Sequence, residues 1–177
     1  MNSKMFQDGI KVPKARIAVL VGTKGQTKRK IQNQTQTFLK IDSREGEVLI
    51  ESDDSVQILI TKSIIQAIAR GFNPEKALHL LDDEYHLEIM DISEYAKKSK
   101  NRLFTLRSRL IGSKGKAKKS LEQLTHTEIE VYGKTVAILG KHENVLLCKH
   151  AVNNLLQGSK HGNVYAFISK RRKDNFL

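Results

Sequence analysis

The sequence predicts an α+β fold made of two tandem β-α-α-β-β-α modules, each a three-stranded sheet with its helices packed on one face. Three observations lead to it. Val21-Gly22-Thr23-Lys24-Gly25 returns 90 residues later as Ile111-Gly112-Ser113-Lys114-Gly115. Its neighbours return too: Thr35 and Thr37 become Thr125 and Thr127, and Ile31 and Leu39 become Leu121 and Ile129. The length of 177 residues suits two modules of roughly 80–90 residues each. A repeat at a fixed offset marks a duplicated unit.

The first module, residues 1–81, opens with a short strand near Ile10–Val12, which Pro13 ends by withholding an N–H. Ala15 to Val21 reads as a two-turn helix with Ile17, Leu20 and Val21 on one side, and the glycine turn follows it. Gln26 to Gln36 is helical in propensity but holds a single strong apolar residue, Ile31, so this helix is thinly anchored. Phe38 to Ile41 and Val48 to Ile50 are strands joined by the turn-forming run Asp42 to Gly46. Asp53 or Asp54 caps a long helix whose Val56, Ile60, Ile64 and Ala67 recur at helical spacing, and Gly71 closes it. Asn73-Pro74 starts a short helix to about Leu81.

Asp82-Asp83-Glu84 marks the seam, and the second module, residues 82–177, repeats the order. A strand near His86–Met90 and a helix near Arg102–Ile111 precede the turn. A helix from Lys116 to about Thr125 follows, then strands Glu128–Tyr132 and Thr135–Leu139 joined by Gly133-Lys134. A helix over about Asn144–Gln157 ends at Gly158. Beyond it, the stretch from Ser159 to Ile168 alternates apolar residues and finishes in Lys170-Arg171-Arg172-Lys173. That alternation predicts packing onto a module, with the basic cluster turned to RNA or to a protein.

Net charge is +12, a balance whose natural partner is a polyanion. The basic residues bracket the turns. Seven basic and no acidic residues lie between Lys11 and Lys30, and ten basic and none acidic between Lys97 and Lys119. The denser second run predicts tighter RNA binding by the second module. A single cysteine excludes an intrachain disulfide and, with no apolar run long enough to span a bilayer, points to the cytoplasm and away from membranes. The N-terminal hexapeptide Met1 to Phe6 lacks the apolar core of a secretory signal.

Glycine at both ends of a four-residue turn lets backbone approach a nucleic-acid strand without a Cβ in the way. The helix that starts there offers unpaired N–H groups and a positive dipole end, which suit phosphate. A lone Gly-x-x-Gly is common by chance, but two copies in matched contexts on basic runs are specific. No enzyme machinery stands out. Cys148 lies on the apolar stripe of Val145, Val152 and Leu155, as a buried thiol would. His79, His86, His126, His142, His150 and His161 form no cluster with cysteine at metal-ligand spacing, and no phosphate-loop motif occurs, so no metal and no cofactor is expected.

The order β-α-turn-α-β-β-α around Gly22-x-x-Gly25 and Gly112-x-x-Gly115 resembles the type I KH domain. That resemblance implies a groove for about four single-stranded nucleotides beside each turn. Its floor would be Leu20, Val21, Ile31, Leu39 and Ile41 in one module, and Leu110, Ile111, Leu121, Ile129 and Val131 in the other. Most KH domains carry an aliphatic residue three positions after the second glycine. Here Lys28 and Lys118 stand there, which trades apolar floor for phosphate contact.

Gly115-Lys116-Ala117-Lys118, Thr125-His126-Thr127, Val136 to Gly140, Asn154 to Gly158 and Gly162-Asn163-Val164 further resemble the ribosome-assembly KH proteins of the partner-of-Nob, or Dim-two, family, in their compact archaeal form. The resemblance implies a non-enzymatic, monomeric factor on single-stranded RNA, the 3′-terminal region of small-subunit ribosomal RNA, beside the Nob endonuclease. It assigns the main contact to Gly112, Ser113, Lys114, Gly115, Lys116, Lys118 and Lys119. A weaker contact falls to Gly22, Thr23, Lys24, Gly25, Lys28 and Arg29. A general KH regulator of messenger RNA, an exosome-type RNA adaptor and a protein-interaction scaffold are the other readings.

Overall fold

The computed structural model describes residues 5–174. Met1 to Lys4, part of the N-terminal hexapeptide weighed as a secretory signal, lie outside them. The chain divides after Asp83 into two compact units.

In the first unit, β1 (Phe6–Lys11), α1 (Lys14–Val21), a 3-10 turn over Thr23–Gly25, α2 (Gln26–Thr35), β2 (Phe38–Asp42), β3 (Glu47–Ser52), α3 (Ser55–Ala69) and α4 (Pro74–Ala77) follow in order. The sheet is antiparallel in the order β1-β3-β2, so β3 is central and β1 and β2 are edges. Asp42 sets the β2–β3 turn by accepting from the Arg44 and Glu45 N–H groups, and these two donors hold its carboxyl below the ordinary value. Asp54 caps α3 by accepting from Val56 N at 2.8 Å, and Asn73 caps α4 with Pro74 at its first position. Gly71, at φ 110°, closes α3: Phe72 N reaches back to the Ala67 carbonyl, the Schellman arrangement.

The second unit runs β4 (Tyr85–Asp91), α5 (Lys100–Ile111), a 3-10 turn over Ser113–Gly115, α6 (Lys116–Thr125), β5 (Glu128–Tyr132), β6 (Thr135–Lys141), α7 (His142–Leu156) and α8 (His161–Asp174). Its sheet order, β4-β6-β5, reproduces the first, with Ile129 opposite Ile138 as Leu39 stands opposite Ile50.

One expectation is corrected in part. Ile64 and Ala67 are buried on α3 as their spacing predicts, with Ile58, Thr61, Ile65 and Ile68, but Ile60 is half-buried and Val56 is 56% exposed. Apolar residues surround α3, so periodicity alone left its phase partly open and the sheet decided it. The segment after Gly158 packs onto the second unit as its apolar residues predict, and it does so as a helix. Val164 and Ile168, four residues apart, are buried against the core of the second unit, and Tyr165 and Phe167 half-cover it.

A polar knot recurs beneath each sheet. Thr35 donates to the Ile31 carbonyl and shares a hydrogen bond with Thr37, which lies 3.3 Å from the Thr61 hydroxyl. In the second unit Thr125 donates to the Leu121 carbonyl and pairs with Thr127 at 2.7 Å, and Cys148 occupies the place of Thr61 against both. Burial pushes the Cys148 thiol up to about 11 from 9.0. The unfolded thiol therefore ionises first. The stability this group contributes is complete below pH 9 and is lost as pH climbs through about 11. Cys148→Thr, which copies Thr61, should remove that part of the alkaline loss in urea-unfolding midpoints measured from about pH 8 to 11. An unchanged alkaline limb would show that the thiol does not contribute.

Candidate nucleic-acid interface

The two glycine turns are the same object built twice. Gly22 has φ 72° and ψ 175°, Lys24 φ 51°, and Gly25 φ 76°. Gly112, Lys114 and Gly115 have φ 74°, 53° and 76°. The glycines do different work. A Cβ on Gly22 would lie 2.8 Å from the Thr27 backbone N, and one on Gly112 2.7 Å from that of Ala117, so the first glycine lets the next helix close onto the turn. A Cβ on Gly115 would meet nothing within 4 Å, and one on Gly25 only the Arg29 guanidinium at 3.2 Å. The second glycine therefore keeps the outer side of the turn bare.

Neither α2 nor α6 has a side-chain cap; the first N–H of each, at Gln26 and Lys116, is returned to the Thr23 and Ser113 carbonyls of the turn itself. Thr23, Lys24, Arg29, Ser113, Lys114, Lys116 and Lys119 are exposed around them. Each turn thus offers bare backbone, a positive helix end and exposed cations, a set that suits a phosphodiester chain.

Gln32 Oε1 accepts from Leu39 N, and Glu122 Oε1 from Ile129 N, both at 2.9 Å, pinning the first strand after each basic helix to that helix. Pre-turn helices are fastened by arginine. Arg16 Nε and Nη2 donate to the Ile68 and Phe72 carbonyls at 2.8 and 2.9 Å, at the C-terminal end of α3. Arg109 does the same for α7: Nε donates to the Leu155 carbonyl at 3.0 Å, and Nη2 to that of Ser159. Both arginines belong to the basic runs that bracket the turns, but their guanidiniums are engaged in the scaffold.

The expected groove floors are also revised. Leu20, Ile31, Leu39, Leu110, Leu121 and Ile129 are core, at 2% exposure or less, and only Val21, Ile41, Ile111 and Val131 are half-buried and reach the surface. The distribution of cations changes as well. Lys100 and Arg102, in the first turn of α5, lie about 15–18 Å along the helix from Gly112 at 1.5 Å per residue, and Lys97 and Lys98 precede the helix. Lys118 Nζ is 3.2 Å from Glu130 Oε2 on β5 and 4.0 Å from Glu122 Oε1, so its charge is shared. Lys28 instead lies over the Phe38 ring, 5.8 Å from its centroid. The two turns therefore face solvent with similar charge, despite the denser second run. Phe38 is more than the strand residue that the sequence predicts. An aromatic at an outward position of an edge strand is a signal that the alternation Phe38-Leu39-Lys40-Ile41 already holds.

Comparison with known proteins places this geometry. Residues 86–173 match the model of the second KH domain of PNO1, a eukaryotic-type KH domain (KH-domain type I), and residues 8–69 match the KH domain. KH domain-containing protein MJ0443 of Methanocaldococcus jannaschii is 42% identical over 168 residues, covering 93% of this chain and 73% of the relative. Pre-rRNA-processing protein pno1 of Aspergillus oryzae is 33% identical over 150 residues, covering 80% of this chain and 57% of the longer relative. The matched chain in the crystal structure of the a/eIF2alpha–aDim2p–rRNA complex from Pyrococcus horikoshii superposes with a TM-score of 0.89 at 40% identity, covering 96% of each chain.

Proposed function

The chain belongs to the PNO1/Dim2 family of tandem KH-domain proteins, and from that premise we propose that it is an RNA-binding factor of ribosome assembly, acting on the 3′-terminal region of small-subunit ribosomal RNA. The observation that carries the RNA reading is the pair of superimposable Gly-x-x-Gly turns, each bare on its outer side and ringed by exposed lysine. The ribosomal reading is supported by the relatives: one is named for pre-rRNA processing and another was crystallised with rRNA. The protein works by holding the strand, as a monomeric binding factor without catalytic groups, beside the Nob endonuclease. Phosphates lie over the N-termini of α2 and α6, and the lysines and Arg29 neutralise them.

The test compares a short single-stranded RNA matching the 3′ end of small-subunit ribosomal RNA with a scrambled RNA of equal composition, near physiological salt. The expected result is tighter binding to the ribosomal sequence. Equal affinity for both overturns the ribosomal 3′ end as the target and leaves a general RNA-binding KH protein.

A further inference from the structure

The two grooves differ where each basic helix faces its edge strand. In the second unit Lys118 on α6 reaches across to Glu130 on β5, and Glu128 stands two residues earlier. In the first unit the same places hold Lys28, Lys40 and Phe38. Phe38 is 55% exposed although it is a large apolar side chain, and it has Lys28 over its ring. Lys40 is exposed beside it and carries no ion pair among the described residues. An aromatic face flanked by two cations suits a flat, electron-rich ring joined to a phosphate. That is a nucleotide of single-stranded RNA.

We propose that the first module contains a base-stacking subsite, with Phe38 as the platform and Lys28 and Lys40 as its flanking cations, and that the acidic edge strand of the second module lacks one. The proposal rests on the RNA-binding reading and deepens it. Lys28 sits on the first turn of α2, directly after Gly25, so a strand whose backbone is held at the turn brings a base to Phe38. Lys28 then moves from the ring to the adjoining phosphate, a charge-assisted contact stronger than its exposed cation–π contact. Stacking tolerates any base, so the first module supplies grip along the strand more than sequence reading.

The sequence holds no tryptophan, so Phe38→Trp gives the full chain a single indole at the subsite. Binding is followed by anisotropy of a labelled single-stranded RNA, and stacking by indole emission with the same RNA unlabelled. Indole quenching that saturates together with anisotropy is the expected result. Phe38→Ala should weaken binding by roughly 5- to 100-fold, the range for loss of one base–aromatic stack. If RNA binds but the indole emission does not change and Phe38→Ala binds as the wild type does, the subsite is overturned while the RNA-binding reading stands. If the wild type binds no single-stranded RNA, that reading fails and the subsite falls with it.

Discussion

Ser113→Asp with Lys114→Asp is expected to weaken single-stranded RNA binding by at least about 100-fold while leaving the fold unchanged. A charge-assisted hydrogen bond is worth roughly 1.5–3 kcal/mol, and the swap deletes one while setting two carboxylates against the phosphates. At about 1.4 kcal/mol per tenfold, two orders of magnitude is the lower bound. The fold is spared because both side chains are exposed and make no hydrogen bond that the scaffold uses. Residue 114 has φ 53° and ψ 30°, a left-handed conformation that aspartate tolerates better than most residues. Thermal unfolding should therefore stay within a few degrees of the wild type. The log–log salt slope should become shallower by about 0.7 for each phosphate that is no longer neutralised. Thr23→Asp with Lys24→Asp is the matched change in the first turn. If it alone abolishes binding and the Ser113/Lys114 pair does not, the first module holds the RNA.

The glycines of one turn should separate stability from binding. Gly112→Ala places a Cβ 2.7 Å from the Ala117 backbone N, and it does so at φ 74°, ψ 174°, a conformation reserved almost wholly for glycine. Backbone on one side and a helix start on the other leave nothing flexible to yield, so the second unit should lose about 3 kcal/mol or more in urea unfolding. Gly115→Ala meets open space and incurs only the left-handed penalty, roughly 1–2 kcal/mol. Its methyl projects from the bare outer side of the turn, so it should lower RNA affinity by more than its small stability loss explains. Equal destabilisation by both substitutions would contradict the division of labour between the glycines.

The turns were legible in the sequence because a glycine at positive φ cannot be replaced cheaply, and its spacing survives when neighbours drift. Element order was legible for the same reason: capping aspartates and asparagines, Pro13, and Gly71 and Gly158 punctuate the chain with local chemistry. The phase of α3 was legible only in part: Ile64 and Ala67 are buried as spaced, but further apolar side chains at Val56 and Leu59 face solvent, and only the sheet chooses between them. Residues 164–168, in α8, satisfy both a period of two and a period near four. Only packing against α7 and α6 selects the helix. At the site, the pairing of Lys118 with Glu130 depends on how β5 lies against α6, a non-local fact that no spacing records. The same holds for Lys28 over Phe38. Charge density along the chain also misled, since the length of α5 carries four of the ten basic residues of the second run away from the turn.

Arg16 and Arg109 bear on how relatedness is scored. Arg16 stands six residues before its first glycine and Arg109 three before its own, so they occupy different columns when the two halves are aligned on their turns. A substitution table sees Arg16 against Leu106 and Val19 against Arg109, and charges two mismatches. The carbonyls they reach, Ile68 and Phe72 in one half and Leu155 and Ser159 in the other, stand at matching places around the closing glycines. What the two halves share is a destination and not a letter in a column. Guanidiniums placed one helical turn apart reach the same pair of acceptors, so the contact does not depend on a single position. Searches that weight each position independently will undercount such kinship. Profiles that reward an arginine at either turn of the helix, conditional on the closing glycine, will recover it.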